Sequence, residues 1–96
     1  MKVIVTESVE IALRNSSEDT RRRAWAWIES LQRWDTDPYV QQHSRKLSDP
    51  PNAYMFVTST DLRLFFTVDK DVITVLEVAR KAAIAGSGQA AGPGQS

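Results

Sequence analysis

The stretch Leu62-Arg63-Leu64-Phe65-Phe66-Thr67-Val68 decides the architecture, together with the two runs that flank it. Before it lies Ala53-Tyr54-Met55-Phe56-Val57-Thr58, and after it Val72-Ile73-Thr74-Val75-Leu76-Glu77-Val78-Ala79. Each run is rich in β-branched and aromatic residues and has the length of a strand. The gaps hold turn formers, Ser59-Thr-Asp61 and Asp69-Lys-Asp71, so the three runs are expected to form an antiparallel meander. Period-two alternation places Leu62, Leu64, Phe66 and Val68 on one face, and Arg63, Phe65 and Thr67 on the other. Arg63 is thereby fixed beside an aromatic neighbour, away from the apolar set.

Working back from the meander, Ser48-Asp-Pro-Pro-Asn52 is a loop, because two prolines have no place in a central strand. Tyr39 to Ser44 is polar and suits no more than a turn of helix. Glu18 to Arg33 carries Thr20, Ala24, Trp27, Ile28, Leu31 and Trp34 on one stripe, which is expected to cover the sheet. Arg22, Ala26, Glu29 and Arg33 form its solvated side, with Asp19 and Glu29 as partners for the arginine run 21–23. Trp25 falls at the margin of the stripe. Ser16, three positions before Asp19, is the expected cap, and Pro38 is expected to stop the helix. Glu7 to Arg14 has Val9, Ala12 and Leu13 at helical spacing, and Lys2 to Thr6 reads as a strand. The order is β-α-α-β-β-β: an α+β fold with two N-terminal helices on a mainly antiparallel four-stranded sheet. Residues 1–85 form the domain, Ala82 to Ala85 suit a short helical turn, and the Gly/Ala/Ser/Gln-rich residues 86–96 read as a flexible tail.

Composition narrows the chemistry. The chain has 96 residues, 12 basic and 12 acidic, with formal net charge zero. That balance speaks against a broad electrostatic grip on nucleic acid but permits a local basic site. No cysteine and a single histidine, His43, leave no thiolate chemistry and a poor ligand set for a metal, so no cofactor is expected. No apolar run reaches the roughly 18 residues of a membrane span, and a cytoplasmic protein is expected. The cations that stand out are Arg45-Lys46, Arg63 and Arg80-Lys81. Surface pairing of Arg63 and Arg80 with Asp61, Glu77 or Asp71 is the plain alternative to a functional role.

Lys46-Leu47, the aromatic strand start at Tyr54, Leu62-Arg63-Leu-Phe-Phe66 and Val75-Leu-Glu-Val-Ala-Arg80-Lys81 resemble the motifs of the RelE/ParE toxins of bacterial toxin–antitoxin modules. The likeness spans the chain to about Ile84. It implies an endoribonuclease of the RelE kind, acting without a metal on mRNA at the ribosome and restrained by an antitoxin protein. On that likeness Lys46 is the candidate base, Arg63 the ligand of the scissile phosphate, and Arg80 the stabiliser of the transition state. Arg45 and Lys81 are supporting RNA-binding cations, and His43 is an alternative base. Two departures are visible: no Tyr or His follows Arg80, and Ala79 stands where many members carry His. A ParE-like inhibitor of DNA gyrase, or a homologue that only forms complexes, are the alternatives that these departures leave open.

Overall fold

In the computed structural model, residues 1–82 are described. Strand β1 (Lys2–Val5) leads to helices α1 (Glu7–Arg14) and α2 (Glu18–Ser30). A 3-10 turn, Leu31–Arg33, and a short helix α3 (Pro38–Gln42) follow. The chain then forms β2 (Ser44–Lys46), β3 (Ala53–Val57), β4 (Leu62–Asp69) and β5 (Val72–Arg80). The expected turn at Ala82–Ala85 falls mostly outside the described residues, and the expected tail wholly so.

The sheet has five strands in the order β1-β5-β4-β3-β2, one more than the sequence reading gives. The meander β3-β4-β5 is antiparallel, as its short gaps require. β1 joins β5 in parallel, because two helices separate it from the meander and carry the chain back across the sheet. The added member, β2, pairs antiparallel with β3 through Ser44↔Phe56, Arg45↔Met55 and Lys46↔Tyr54. Three polar residues carry no strand pattern of their own, so the open edge of β3 imposes the conformation.

Both helices lie on one side of the sheet. Val9 and Leu13 of α1, Ala24 and Ile28 of α2, Leu31 and Val40 share a buried cluster with Phe56, Leu62, Leu64, Phe66, Ile73 and Val75. The expected alternation along β4 holds: Leu62, Leu64 and Phe66 are buried, whereas Arg63, Phe65 and Thr67 are half-buried. β5 departs from strict alternation. Phe65 pairs with Glu77 and Phe66 with Val75, so Leu76 bulges out of register and is 40% exposed. Trp27 packs edge-on against Phe56 and Trp34 edge-on against Phe66, while Trp34 meets Tyr54 at a tilt.

The helix boundaries shift for local reasons. Ser17, not Ser16, caps α2: its hydroxyl accepts from the Thr20 amide at 3.2 Å, while the Ser16 hydroxyl donates back to the Ala12 carbonyl. α2 tightens into the 3-10 turn before Arg33. Pro38 opens α3 at a first-turn position, where its missing N–H costs nothing, under an Asp37 cap that accepts from the Tyr39 amide at 2.9 Å.

Candidate functional site

Strand alternation gives the sheet a second face. Arg45 opposite Met55, Met55 opposite Phe65, and Phe65 opposite Glu77 form one cross-strand row on it. Val57, Arg63 and Ala79 form the next. Among the described residues no helix covers this face, since α1, α2 and α3 all contribute to the core on the other side.

Arg63 is the most firmly held of the sequence-predicted residues. Its side chain is half-buried, and one terminal nitrogen donates to two backbone carbonyls, Thr60 at 2.9 Å and Leu62 at 2.8 Å. The turn that presents those carbonyls is itself locked. The Thr58 hydroxyl accepts from the Thr60 amide at 3.2 Å and donates to the Leu62 carbonyl at 2.8 Å. The Thr60 hydroxyl accepts from the Leu62 amide at 3.2 Å. Thr58 is the buried polar residue of the described chain, 4% exposed. A guanidinium has five N–H donors, and two carbonyls occupy only part of one end of its fork. The remaining donors are available to an anion, and their direction is set by backbone rather than by a mobile acid.

Arg80 lies on the neighbouring strand, where Leu62 faces it and Ala79 faces Arg63. Its guanidinium turns toward the helix layer, pairing with Asp61 at 3.1 Å and reaching the Thr20 hydroxyl at 3.3 Å. The Asp61 carbonyl also accepts from the Lys81 amide at 2.7 Å. Residues 58–62 therefore hold both arginines, one through carbonyls and one through a carboxylate. Acid pairing explains Arg80 in part; it does not explain Arg63.

The remaining cations separate by face. Arg45 and Lys46, to which the sequence pattern assigns no element, lie in β2, on opposite sides of an edge strand. Arg45 shares the open face with Arg63, whereas Lys46 leaves the sheet on the Tyr54 side, toward the helices. His43 caps α3 just before β2, and its ring stacks on Tyr39 with centroids 4.1 Å apart. Its Nδ1 is 2.8 Å from the Tyr39 carbonyl, an atom that can only accept, so Nδ1 carries a proton and Nε2 is the nitrogen left to accept one. The structure thus groups Arg45 with Arg63 on one face and joins Arg63 to Arg80 through one turn. Lys46 and His43 stand at the β2 edge, apart from that group. The turn at Ser59-Thr-Asp61 was legible in the sequence, but the hydroxyl network that Thr58 and Thr60 build in it and the Thr20 contact of Arg80 were not, although Thr-Ser-Thr-Asp is a recognisable hydroxyl-turn composition.

This order of elements, with both helices on one side and a meander closed by a parallel first strand, is the fold of the RelE toxins. A chain of the RelB–RelE antitoxin–toxin complex from Methanococcus jannaschii superposes with a TM-score of 0.63 at 16% identity, covering 88% of this chain and 96% of that one. A chain of the archaeal RelE–RelB complex from Pyrococcus horikoshii OT3 gives 0.63 at 20% identity, over 83% and 93%. The isolated E. coli RelE toxin gives 0.61 at 17% identity, over 90% and 95%. At these identities the likeness is one of fold. No family model and no curated protein matches the sequence.

Proposed function

We propose that this protein is the toxin of a toxin–antitoxin module and cuts mRNA bound to the ribosome. The observation that carries the reading is Arg63, a guanidinium aimed by two backbone carbonyls on an uncovered face shared with Arg45, in a RelE-like fold. Transesterification of RNA suits such a site. The ribose 2′-oxygen gives its proton to a base and attacks the adjacent phosphorus, the bond to the 5′-oxygen breaks, that oxygen takes a proton from water, and a 2′,3′-cyclic phosphate and a 5′-hydroxyl remain. Charge builds on the non-bridging oxygens as the phosphorane forms, and a preorganised arginine stabilises it more than water does.

In this scheme Arg63 binds the scissile phosphate and Arg45 the neighbouring backbone. Arg80 reaches the developing charge by exchanging its contact with Asp61. Lys46 takes the 2′-hydroxyl proton, for which its side chain must turn round the β2 edge; His43, through Nε2, is the alternative acceptor. The antitoxin is the partner that holds the toxin inactive, by analogy with the RelB–RelE complexes of the same fold.

Primer extension on mRNA bound to ribosomes, with and without the protein, tests the reading. Discrete cuts within the codon at the ribosomal A site are expected. Growth arrest without cuts, accompanied by gyrase-dependent DNA breaks, would replace it with the gyrase-inhibitor reading, which the lack of Tyr or His after Arg80 favours.

A further inference from the structure

Phe65 occupies the open face where a sheet ordinarily presents polar groups to solvent. It sits in the middle strand of the meander, between Met55 on β3 and Glu77 on β5, two residues along β4 from Arg63. Its burial is intermediate, although neighbouring Leu64 and Phe66 on the core face are fully buried. Met55 and Val57 beside it are also only half-buried. The patch is therefore apolar, accessible and carried on rigid backbone.

The charges around it are asymmetric. Arg45 lies beyond Met55 in the same row, and Arg63 lies one step along the strand face, whereas Glu77 closes the row on the β5 side. Strand spacing and rise put the Cα atoms of Arg45 and Arg63 about 12 Å apart, with the Met55–Phe65 patch at the corner between them. A polyanion crossing this face is attracted on the β2 side and repelled by the Glu77 carboxylate. A single-stranded nucleic acid has the complementary chemistry: phosphates for the two arginines, and a flat apolar base for the ring. An acidic peptide would satisfy the arginines but offers no regular flat group for Phe65.

The geometry points to Phe65 as a stacking platform for the nucleobase next to the phosphate held by Arg63, with Met55 widening it. This deepens the proposed nuclease reading and rests on it for the identity of the strand as RNA. Phe65 is then a substrate-binding residue, and it selects for an unstacked base rather than for a particular sequence.

The test uses fluorescein-labelled RNA heptamers, read by fluorescence anisotropy, and parallel cleavage assays on ribosome-bound mRNA. One heptamer is intact, and a set of others each lacks a single base. The variants are Phe65→Leu, which keeps an apolar side chain on the sheet, and Phe65→Tyr, which keeps the ring. Stacking of one base predicts a loss of about 5- to 160-fold in affinity for Phe65→Leu and little change for Phe65→Tyr. Omitting the base that stacks should weaken wild type by a similar factor and leave Phe65→Leu unaffected, a non-additivity that a purely structural ring would not produce. Unchanged affinity and unchanged cleavage in Phe65→Leu, with its thermal unfolding matching wild type, would overturn the platform while leaving the nuclease reading intact. Ring-dependent binding without any cleavage by wild type would keep the platform and remove the nuclease. Equal losses for Leu and Tyr, or strictly additive losses across the abasic set, would also overturn it.

Discussion

A cation in an active site differs from one on a surface in what holds it. Arg80 is more than half exposed and pairs with an equally exposed Asp61, an arrangement worth about 1 kcal/mol or less in stability. Arg63 instead leans on two carbonyls that a threonine turn fixes in place. Losing a preorganised charge of this kind typically costs about 10²–10³ in rate, and lysine lacks the planar fork that would replace it. Arg63→Ala and Arg63→Lys are therefore both expected to abolish growth arrest and to lower mRNA cleavage by roughly that factor, with the protein still folded. Arg80→Ala is expected to slow cleavage with a stability change of about 1 kcal/mol or less, because only exposed contacts, to Asp61 and the Thr20 hydroxyl, are lost. Lys46→Ala should reduce the cleavage rate at saturating ribosomes more than the affinity for them, as loss of a base acts in the chemical step. Single-turnover cleavage beside urea unfolding separates these cases. Undiminished cuts from both Arg63 variants would take this residue out of the mechanism.

At the scale of elements, the core rests on a few side chains that bridge the layers. Leu31, fully buried in the 3-10 turn, belongs to the core cluster shared by the helices and the sheet. Leu31→Ala is expected to cost about 2–5 kcal/mol, read as a lower urea midpoint. Thr58→Val keeps the shape but takes the acceptor from the Thr60 amide, while the Leu62 carbonyl keeps Arg63 as its donor, at an expected cost of about 1–3 kcal/mol. If cleavage in that variant falls further than its folded fraction explains, the turn positions Arg63 as well as closing the hairpin. The same elements show what a sequence can and cannot carry. Leu62, Leu64 and Phe66 alternate with Arg63 and Phe65, so period two sorts the side chains into two sets, while which set meets the helices is settled only by their burial in the structure. β2 is illegible because Ser44-Arg-Lys46 has no propensity pattern and exists as a strand only through its pairing with β3. That one unseen strand decides the faces of Arg45 and Lys46, so the site residues were legible as cations but not as a constellation. The bulge at Leu76 is hidden for a similar reason: Val75-Leu-Glu-Val78 reads as uninterrupted strand until the register with β4 is known.

At the scale of the whole molecule, the proposed toxin must be held silent by its proposed antitoxin, and Trp25 marks the surface on which that proposal can be tested. Trp25 is only half-buried and lines two open grooves. One lies between the helices with Glu10, Leu13, Arg14 and Arg21. The other, of about 370 Å³, lies between α2 and the edge strand β1 with Val3, Val5, Ile28 and Gln32. Ile4 on the same strand is 42% exposed. An antitoxin segment that sets apolar side chains along these grooves and continues to acidic residues near Arg63 and Arg80 would cover both the hydrophobic seam and the proposed site. Co-expression with the product of the adjacent gene should give a complex that survives purification and suppresses growth arrest. Because buried tryptophans commonly contribute more than 2 kcal/mol at an interface centre, Trp25→Ala is expected to weaken that complex by about 30-fold or more. The measurement is a calorimetric titration of isolated toxin with antitoxin, using Arg63→Ala in both proteins compared so that the toxin can be expressed alone. The Trp25→Ala, Arg63→Ala double variant carries the only further change, so its affinity relative to Arg63→Ala isolates the tryptophan. An affinity equal to that of Arg63→Ala would mean that the antitoxin bypasses the grooves and silences the protein from the open face alone.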